Sequence, residues 1–160
     1  MKPSPSKVVV ETVPSSMPSL TETTFYLVKL YTYNHEAVFG FVNDEQGLEL
    51  NGIGQIAADE WQRSARAYMS LKLDKWVLLP NRLEGIVSLG DANSSNGYGA
   101  YSSKPRLLSS FVASYKAAAA KRINLARNTP GLPLWQRGYQ ERFIPDSAIL
   151  KRVQQTLEQL

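Results

Sequence analysis

The chain has 160 residues, 43% apolar and 20% charged, which is ordinary for one globular domain and excludes a fibrous or generally disordered protein. It contains no cysteine, so disulfides, thiolate metal sites and cysteine nucleophiles are excluded, and a reducing cytoplasmic setting is expected. No run approaches the ~18 apolar residues of a membrane-spanning helix, and the first residues lack the apolar core of a secretion signal, so a soluble chain without membrane insertion is expected.

Net charge is +4, but its distribution is uneven. Residues 104–152 hold ten Lys or Arg against Glu141 and Asp146, a local +8, which leaves −4 for the rest. A basic third attached to a mildly acidic body points to an acidic partner such as nucleic acid.

Residues 1–22 begin MKPSPSKVVVETVPSSMPSL, rich in Pro and Ser and without a period, and read as a flexible or partner-bound tail preceding a domain at 23–160. TTFYLVKLYTYN, residues 23–34, is rich in aromatic and β-branched residues and reads as a central strand. VFGFV, residues 38–42, and LEL, residues 48–50, flank a polar turn with Asn43, Asp44 and Gly47, which reads as a hairpin. Asn51 is placed to cap a helix with Ile53, Ile56, Ala57, Trp61, Ala65 and Tyr68 on its inner stripe.

WVLLPNRLEGIV, residues 76–87, reads as two strands meeting at Pro80-Asn81. Residues 91–103, DANSSNGYGAYSS, read as a loop by composition. The strongest helix is expected from about Ser109 to Arg127, with Leu108, Phe111, Tyr115, Ala118, Ala119 and Ala126 on one side; TPGLP, residues 129–133, stops it. LWQRGYQERF, residues 134–143, reads as a short strand. Asp146 then caps a last helix with Ile149, Leu150, Val153, Leu157 and Leu160 inward. Strands, helix, two strands, helix, strand, helix is the order of an α+β protein with helices packed on a largely antiparallel sheet.

Alternation puts Arg82, Glu84, Ile86 and Ser88 on one face of their strand. Arg82 and Glu84 are same-face neighbours roughly 7 Å apart at ~3.3 Å per residue, and a self-neutralising ion pair is the simplest account of them. One carboxylate beside one guanidinium lacks the second titrating group that general acid–base hydrolysis uses. His35, the single histidine, is placed in the first hairpin, away from these positions.

The strand ending in Tyr-Asn, the hairpin with VFG, the helix with EW, VLLPN followed by two alternating residues and GIV, then SFVASYKAAAAKRIN, TPG and WQRGYQERFIPD, together form a recurring pattern. In type and order they resemble the single-tyrosine HUH transposases, in the bacterial branch associated with REP elements, over about residues 23–160. The resemblance implies a ferredoxin-like antiparallel sheet with helices packed on it. Active members cut single-stranded DNA near hairpins: two histidines at alternate strand positions hold a divalent metal, and a tyrosine on the last helix attacks the phosphate.

The positions matching those histidines are Arg82 and Glu84, and the position matching the tyrosine is Thr156, at the edge of the inner stripe of the last helix. A guanidinium offers a metal no lone pair, and a threonine hydroxyl is a poor leaving group with no base to activate it. The resemblance therefore implies a degenerate member with no metal cofactor and no catalytic residue.

The basic helix retains features for binding. Lys116 and Arg127 flank its apolar stripe, Lys121 points away, and Arg122 lies within the stripe, where it needs a partner such as Glu84 or Glu141. Lys116, Lys121, Arg122 and Arg127, with Arg137 and Arg142, form a candidate phosphate track, and Trp135 is a candidate base-stacking residue or a core aromatic. Two functions are open: binding of single-stranded or hairpin DNA without cutting it, or reuse as a protein-interaction or structural subunit, with residues 1–22 engaging a protein partner.

Overall fold

A computed structural model describes residues 23–90 and 100–160, the side chains of residues 100–103 excepted. The Pro/Ser-rich segment at 1–22 and residues 91–99 of the loop expected at 91–103 lie outside the described residues. β1 is Thr24–Tyr31, followed by a single 3-10 turn at Tyr33–His35. β2 (Gly40–Asn43) and β3 (Gly47–Leu50) form the hairpin, α1 is Gly52–Ala65, and β4 (Leu71–Leu79) and β5 (Arg82–Leu89) meet at Pro80-Asn81. α2 (Ala100–Ala126), β6 (Gln140–Ile144) and α3 (Ser147–Glu158) complete the chain.

The main sheet has the order β4-β5-β1-β6 with every pair antiparallel, while β2 and β3 form a separate two-stranded sheet. Counting only its four strands and the two helices between them, this is a βαββαβ unit with each crossover strand split by a neighbour, the ferredoxin-like arrangement. α3 is an addition after the last strand.

Local chemistry sets the boundaries. The Asn51 side chain accepts from the Gly54 amide at 2.8 Å and starts α1; the Asp146 carboxylate does the same for Ile149 at 2.9 Å and starts α3. Tyr68, expected on the inner stripe of α1, lies past the helix end and packs on the core from the following turn. α2 begins well before Ser109: residues 100–103 are helical rather than looped, and the helix runs through Pro105. Proline lacks an N–H and ordinarily marks a helix boundary, which is why the sequence understates this element. Its buried stripe is Leu108, Phe111, Val112, Tyr115, Ala119 and Ile123, whereas Ala126 is exposed. Thr32 and Trp135 form only an isolated bridge, so the strand expected from Leu134 starts at Gln140.

The sheet separates two apolar layers. On one face α1 and α2 cover Val28, Leu30, Trp76, Leu78, Leu83, Val87 and Leu89, with Trp61 packed edge-on to Tyr115 at 5.0 Å. Gly85 permits that layer, because a Cβ there would lie 2.6 Å from the Cβ of Trp76. On the other face α3 sends Ile149, Leu150, Val153 and Leu157 onto Leu27, Val77, Leu79, Ile86 and Ile144. Among the described residues no helix is long and apolar enough to cross a membrane.

Candidate functional site

β5 turns its two charged residues onto the α3 face because the Pro80-Asn81 turn sets Arg82 opposite Leu79, and alternation does the rest. Register with β1 places Tyr31 beside Arg82 and Lys29 beside Glu84. The Arg82 Nε donates to Glu84 Oε2 at 2.6 Å, and its Nη1 donates to the Asn81 side chain at 3.0 Å. Lys29 Nζ stands 4.0 Å from the other oxygen, Glu84 Oε1. The Glu84 side chain is only 9% exposed, against 27% for Arg82 and 33% for Lys29, so a buried carboxylate has a cation on each oxygen.

This donor set does not fit a divalent cation. Arg82 has no lone pair to give, and both Glu84 oxygens already face cations that would repel a metal. Among the described residues no group of three or more His, Asp or Glu is placed to hold a metal ion.

Thr156 does not face the sheet. It is exposed, and its hydroxyl donates to the Arg152 carbonyl one turn earlier at 3.0 Å. The reason is the rotation of α3: Gln154 hydrogen-bonds Asp74, Glu158 pairs with Lys75, and Leu157 fills the core, which fixes residues 153, 154 and 157 inward and turns 156 outward. Asp74 and Lys75 reach α3 from the irregularity in β4, where pairing with β5 shifts between Leu73 and Trp76.

The basic residues of the second half are divided among α2, the 136–138 turn and β6. Lys116 donates to the carbonyls of Gln136 at 2.9 Å and Gly138 at 2.7 Å, and partial burial lowers its pKa; it fastens the 136–138 turn to α2. Arg122 pairs with neither Glu84 nor Glu141. α1 packs against α2, so Asp59 and Glu60 reach Arg122 Nη1 at 2.9 Å each, and the pair raises the guanidinium pKa. Lys121 is exposed and borders a recess of about 260 Å³ with Asn124, Leu125, Asn128, Pro130 and Gly131. Arg127 is half-buried, with Nη2 3.4 Å from the Asn124 side chain and Nε buried without a hydrogen-bond partner. Trp135 packs on the core, its ring 5.5 Å from Phe39 and 5.6 Å from Tyr115. Arg137 is exposed on the 136–138 turn. Arg142 is exposed on β6, and its alternation phase, shared with Ile144, sets it on the α3 face, opposite the face that α2 covers.

Three features escaped the sequence reading. Lys29 is the second cation on Glu84, Gln140 joins Arg142 on the α3 face, and His35 has an aromatic partner on β1. Its ring stacks on Tyr31 at 4.9 Å, and Tyr31 pairs with Arg82. The signal for Lys29 was present as a lone lysine in the inward phase of an otherwise aromatic and aliphatic strand.

An antiparallel βαββαβ sheet with an additional helix on one face is a fold this chain shares with a transposase of solved structure. A solved structure of a REP-associated tyrosine transposase bound to a REP hairpin superposes with a TM-score of 0.51 at 12% identity, over 84% of this chain and 64% of the other. The chain thus spans less than two thirds of that protein. A protein from Deinococcus radiodurans described provisionally as a transposase aligns with a TM-score of 0.48 at 16% identity, over 86% of this chain and 91% of that one. In sequence, the chain is 25% identical over 131 residues to an uncharacterized protein of Haemophilus influenzae, covering 76% of this chain and 71% of the relative. No family model matches.

Proposed function

We propose that this chain is a transposase-derived protein of the REP-associated branch that binds single-stranded or hairpin DNA and does not cleave it. One observation carries the reading: Arg82 and Glu84, which the sequence resemblance matches to the metal-binding histidines of active members, form an ion pair, with Lys29 on the second carboxylate oxygen. The cluster keeps positive charge on the face without offering a metal a ligand. The solvent-facing Thr156, already bonded to a backbone carbonyl, adds that no activated nucleophile stands at the matching place on α3. Support for DNA as the partner is the transposase bound to a REP hairpin, whose fold this chain shares.

The test is direct. Binding to a labelled hairpin at about 50 mM salt should be measurable and weaken with salt, with a slope of roughly −0.7 per neutralised phosphate in log–log form for single strands. Incubating the same strand, labelled on both sides of any cut, with manganese should give no covalent protein–DNA adduct and no released labelled fragment. An adduct that disappears on replacing one tyrosine would overturn the reading.

A second reading, a protein-interaction subunit, is favoured by the β2–β3 hairpin, which exposes Phe41 at 53% and Val42 at 66%. Nuclease-resistant capture of a stoichiometric protein partner, lost with Phe41→Ser/Val42→Ser, together with no hairpin binding, would replace the first reading by this one.

A further inference from the structure

α3 covers only half of its sheet face. Its apolar side chains end on Leu27, Val77, Ile86 and Ile144, while the same strands continue in the same phase to Lys29 and Tyr31, to Glu84 and Arg82, and to Arg142 and Gln140. Gln140 and Arg142 are exposed, and Tyr31, Lys29 and Arg82 are half-buried. Three cations stand there against Glu84, which Arg82 and Lys29 already neutralise, while Glu141, in the opposite phase of β6, accepts from the Tyr139 hydroxyl at 2.6 Å.

Between β1 and β6 this face holds a recess of about 140 Å³, lined by Leu27, Lys29, Gln140, Glu141 and Arg142. At about 30 Å³ per water in the liquid, that is space for several waters or one phosphate group. Its donors are of the types that bind phosphate: an ammonium with three protons, a primary amide, and a guanidinium whose fork matches two phosphate oxygens.

Two residues along β1 from Lys29, in the same phase, is an aromatic pair. Tyr31 and His35 stack at 4.9 Å with their planes 29° apart. Asn34 and His35 both take the left-handed conformation at φ 55°, unusual for consecutive non-glycine residues. Bonds hold that turn in place: His35 N donates to Thr32 O at 2.9 Å, Tyr33 N to Leu134 O at 2.9 Å, and Thr32 Oγ1 to Glu36 O at 2.7 Å. Thr32 N also donates to Asn81 O at 3.0 Å, tying the turn to the loop that carries Arg82. The stack is therefore fixed relative to the charged cluster.

We propose that this open half-face binds one strand of DNA directly, Lys29, Gln140 and Arg142 holding a backbone phosphodiester and the Tyr31–His35 stack receiving a base, with no metal ion between protein and phosphate. A cationic groove beside an aromatic platform is the general design for single-strand binding. The inference rests on the DNA-binding reading and names the surface and contacts that serve it.

The experiment is fluorescence anisotropy with a short labelled hairpin carrying a single-stranded flank, in EDTA, across a salt series. Lys29→Gln/Arg142→Gln is expected to weaken binding by at least about tenfold, since hydrogen bonds to charged groups are the stronger class. It should also make the salt slope shallower by about 1.4, two charges at about 0.7 each. Arg63→Gln/Arg66→Gln, the same charge change around the end of α1, should stay within about twofold. Tyr31→Ser should weaken binding with the slope unchanged, as loss of stacking does. Wild-type binding with the Lys29/Arg142 variant within twofold of it overturns this inference and leaves the DNA-binding reading standing; no wild-type binding overturns both. Binding abolished by EDTA and restored by magnesium overturns the metal-free contact. If the double variant fails to fold, Arg142→Gln alone decides, because Arg142 lies exposed on an edge strand: unchanged affinity and slope overturn the inference.

Discussion

Removing Arg82 isolates the charge at the centre of the sheet face. Arg82→Met keeps most of the side-chain volume and deletes the Nε bond to Glu84, so a carboxylate that is 9% exposed retains only Lys29 at 4.0 Å. Breaking a fully buried pair by deleting one member costs about 3–5 kcal/mol, most of it the penalty of the abandoned charge. Here the remaining lysine and the partial exposure of the site reduce the expectation to about 1.5–3 kcal/mol. Glu84→Leu should cost less, about 0–1 kcal/mol, because Arg82 and Lys29 are each near one third exposed and can turn to water. Their combination removes charge and partner together and should lie within about 1 kcal/mol of wild type, giving a coupling of about 1–2 kcal/mol. Urea unfolding followed by circular dichroism reads this well: with a slope of about 1–3 kcal/mol per molar, Arg82→Met should lower the midpoint by about 1 M. Strict additivity of the two single changes would refute the argument that the pair is one electrostatic unit.

Other expectations follow from neighbouring parts of the molecule. Burial, helped by Glu60, raises the Tyr115 phenol above its ordinary pKa, so the folded chain keeps this proton where the unfolded chain starts to release it near pH ~10. The associated stability is intact below that pH and is lost as pH rises further, by up to about 1.4 kcal/mol per unit; Tyr115→Phe should flatten that alkaline decline in a pH series of unfolding midpoints. At neutral pH the same variant should cost about 1–2 kcal/mol, because the hydroxyl donates to the Ala57 carbonyl at 2.9 Å inside the core. Gly85→Ala should cost about 1–3 kcal/mol in the same unfolding assay, since its Cβ would lie 2.6 Å from the Trp76 Cβ; a neutral result would contradict the tight packing of that layer. Manganese should leave the wild-type melting temperature unchanged, whereas Arg82→His/Glu84→His, which sets two imidazoles on one strand face, should show a manganese-dependent rise.

How much of this was legible in the sequence depended on whether a feature was local. The caps at Asn51 and Asp146, the turn at Pro80-Asn81 and the Arg82–Glu84 pair all involve residues within three positions of each other, so period and turn chemistry predict them. Lys29 lies far from Glu84 in sequence, and only the β1–β5 register makes them partners. The partners of Arg122 required knowing that α1 lies on α2, and the outward turn of Thr156 required the bonds from Gln154 and Glu158 to the irregular part of β4. The α+β class and its antiparallel sheet were legible from patterning and the ferredoxin-like order only through the resemblance, whereas the full composition of the charged face was legible from neither.

That composition bears on why binding without cleavage is a coherent end point for such a face. A divalent metal concentrates two charges at one point, polarises a single phosphate oxygen and stabilises charge as it develops in the transition state. Guanidinium and ammonium groups spread charge over several donors and hold a phosphodiester, but they do not generate a nucleophile as a bound metal does. On the proposed reading, Lys29, Arg82 and Arg142 supply an electrostatic attraction that weakens with salt but persists in a chelator, and none of them activates a nucleophile. Glu84, buried between two cations, then fixes where they stand. Binding of this kind gains affinity without the activated nucleophile that cleavage uses.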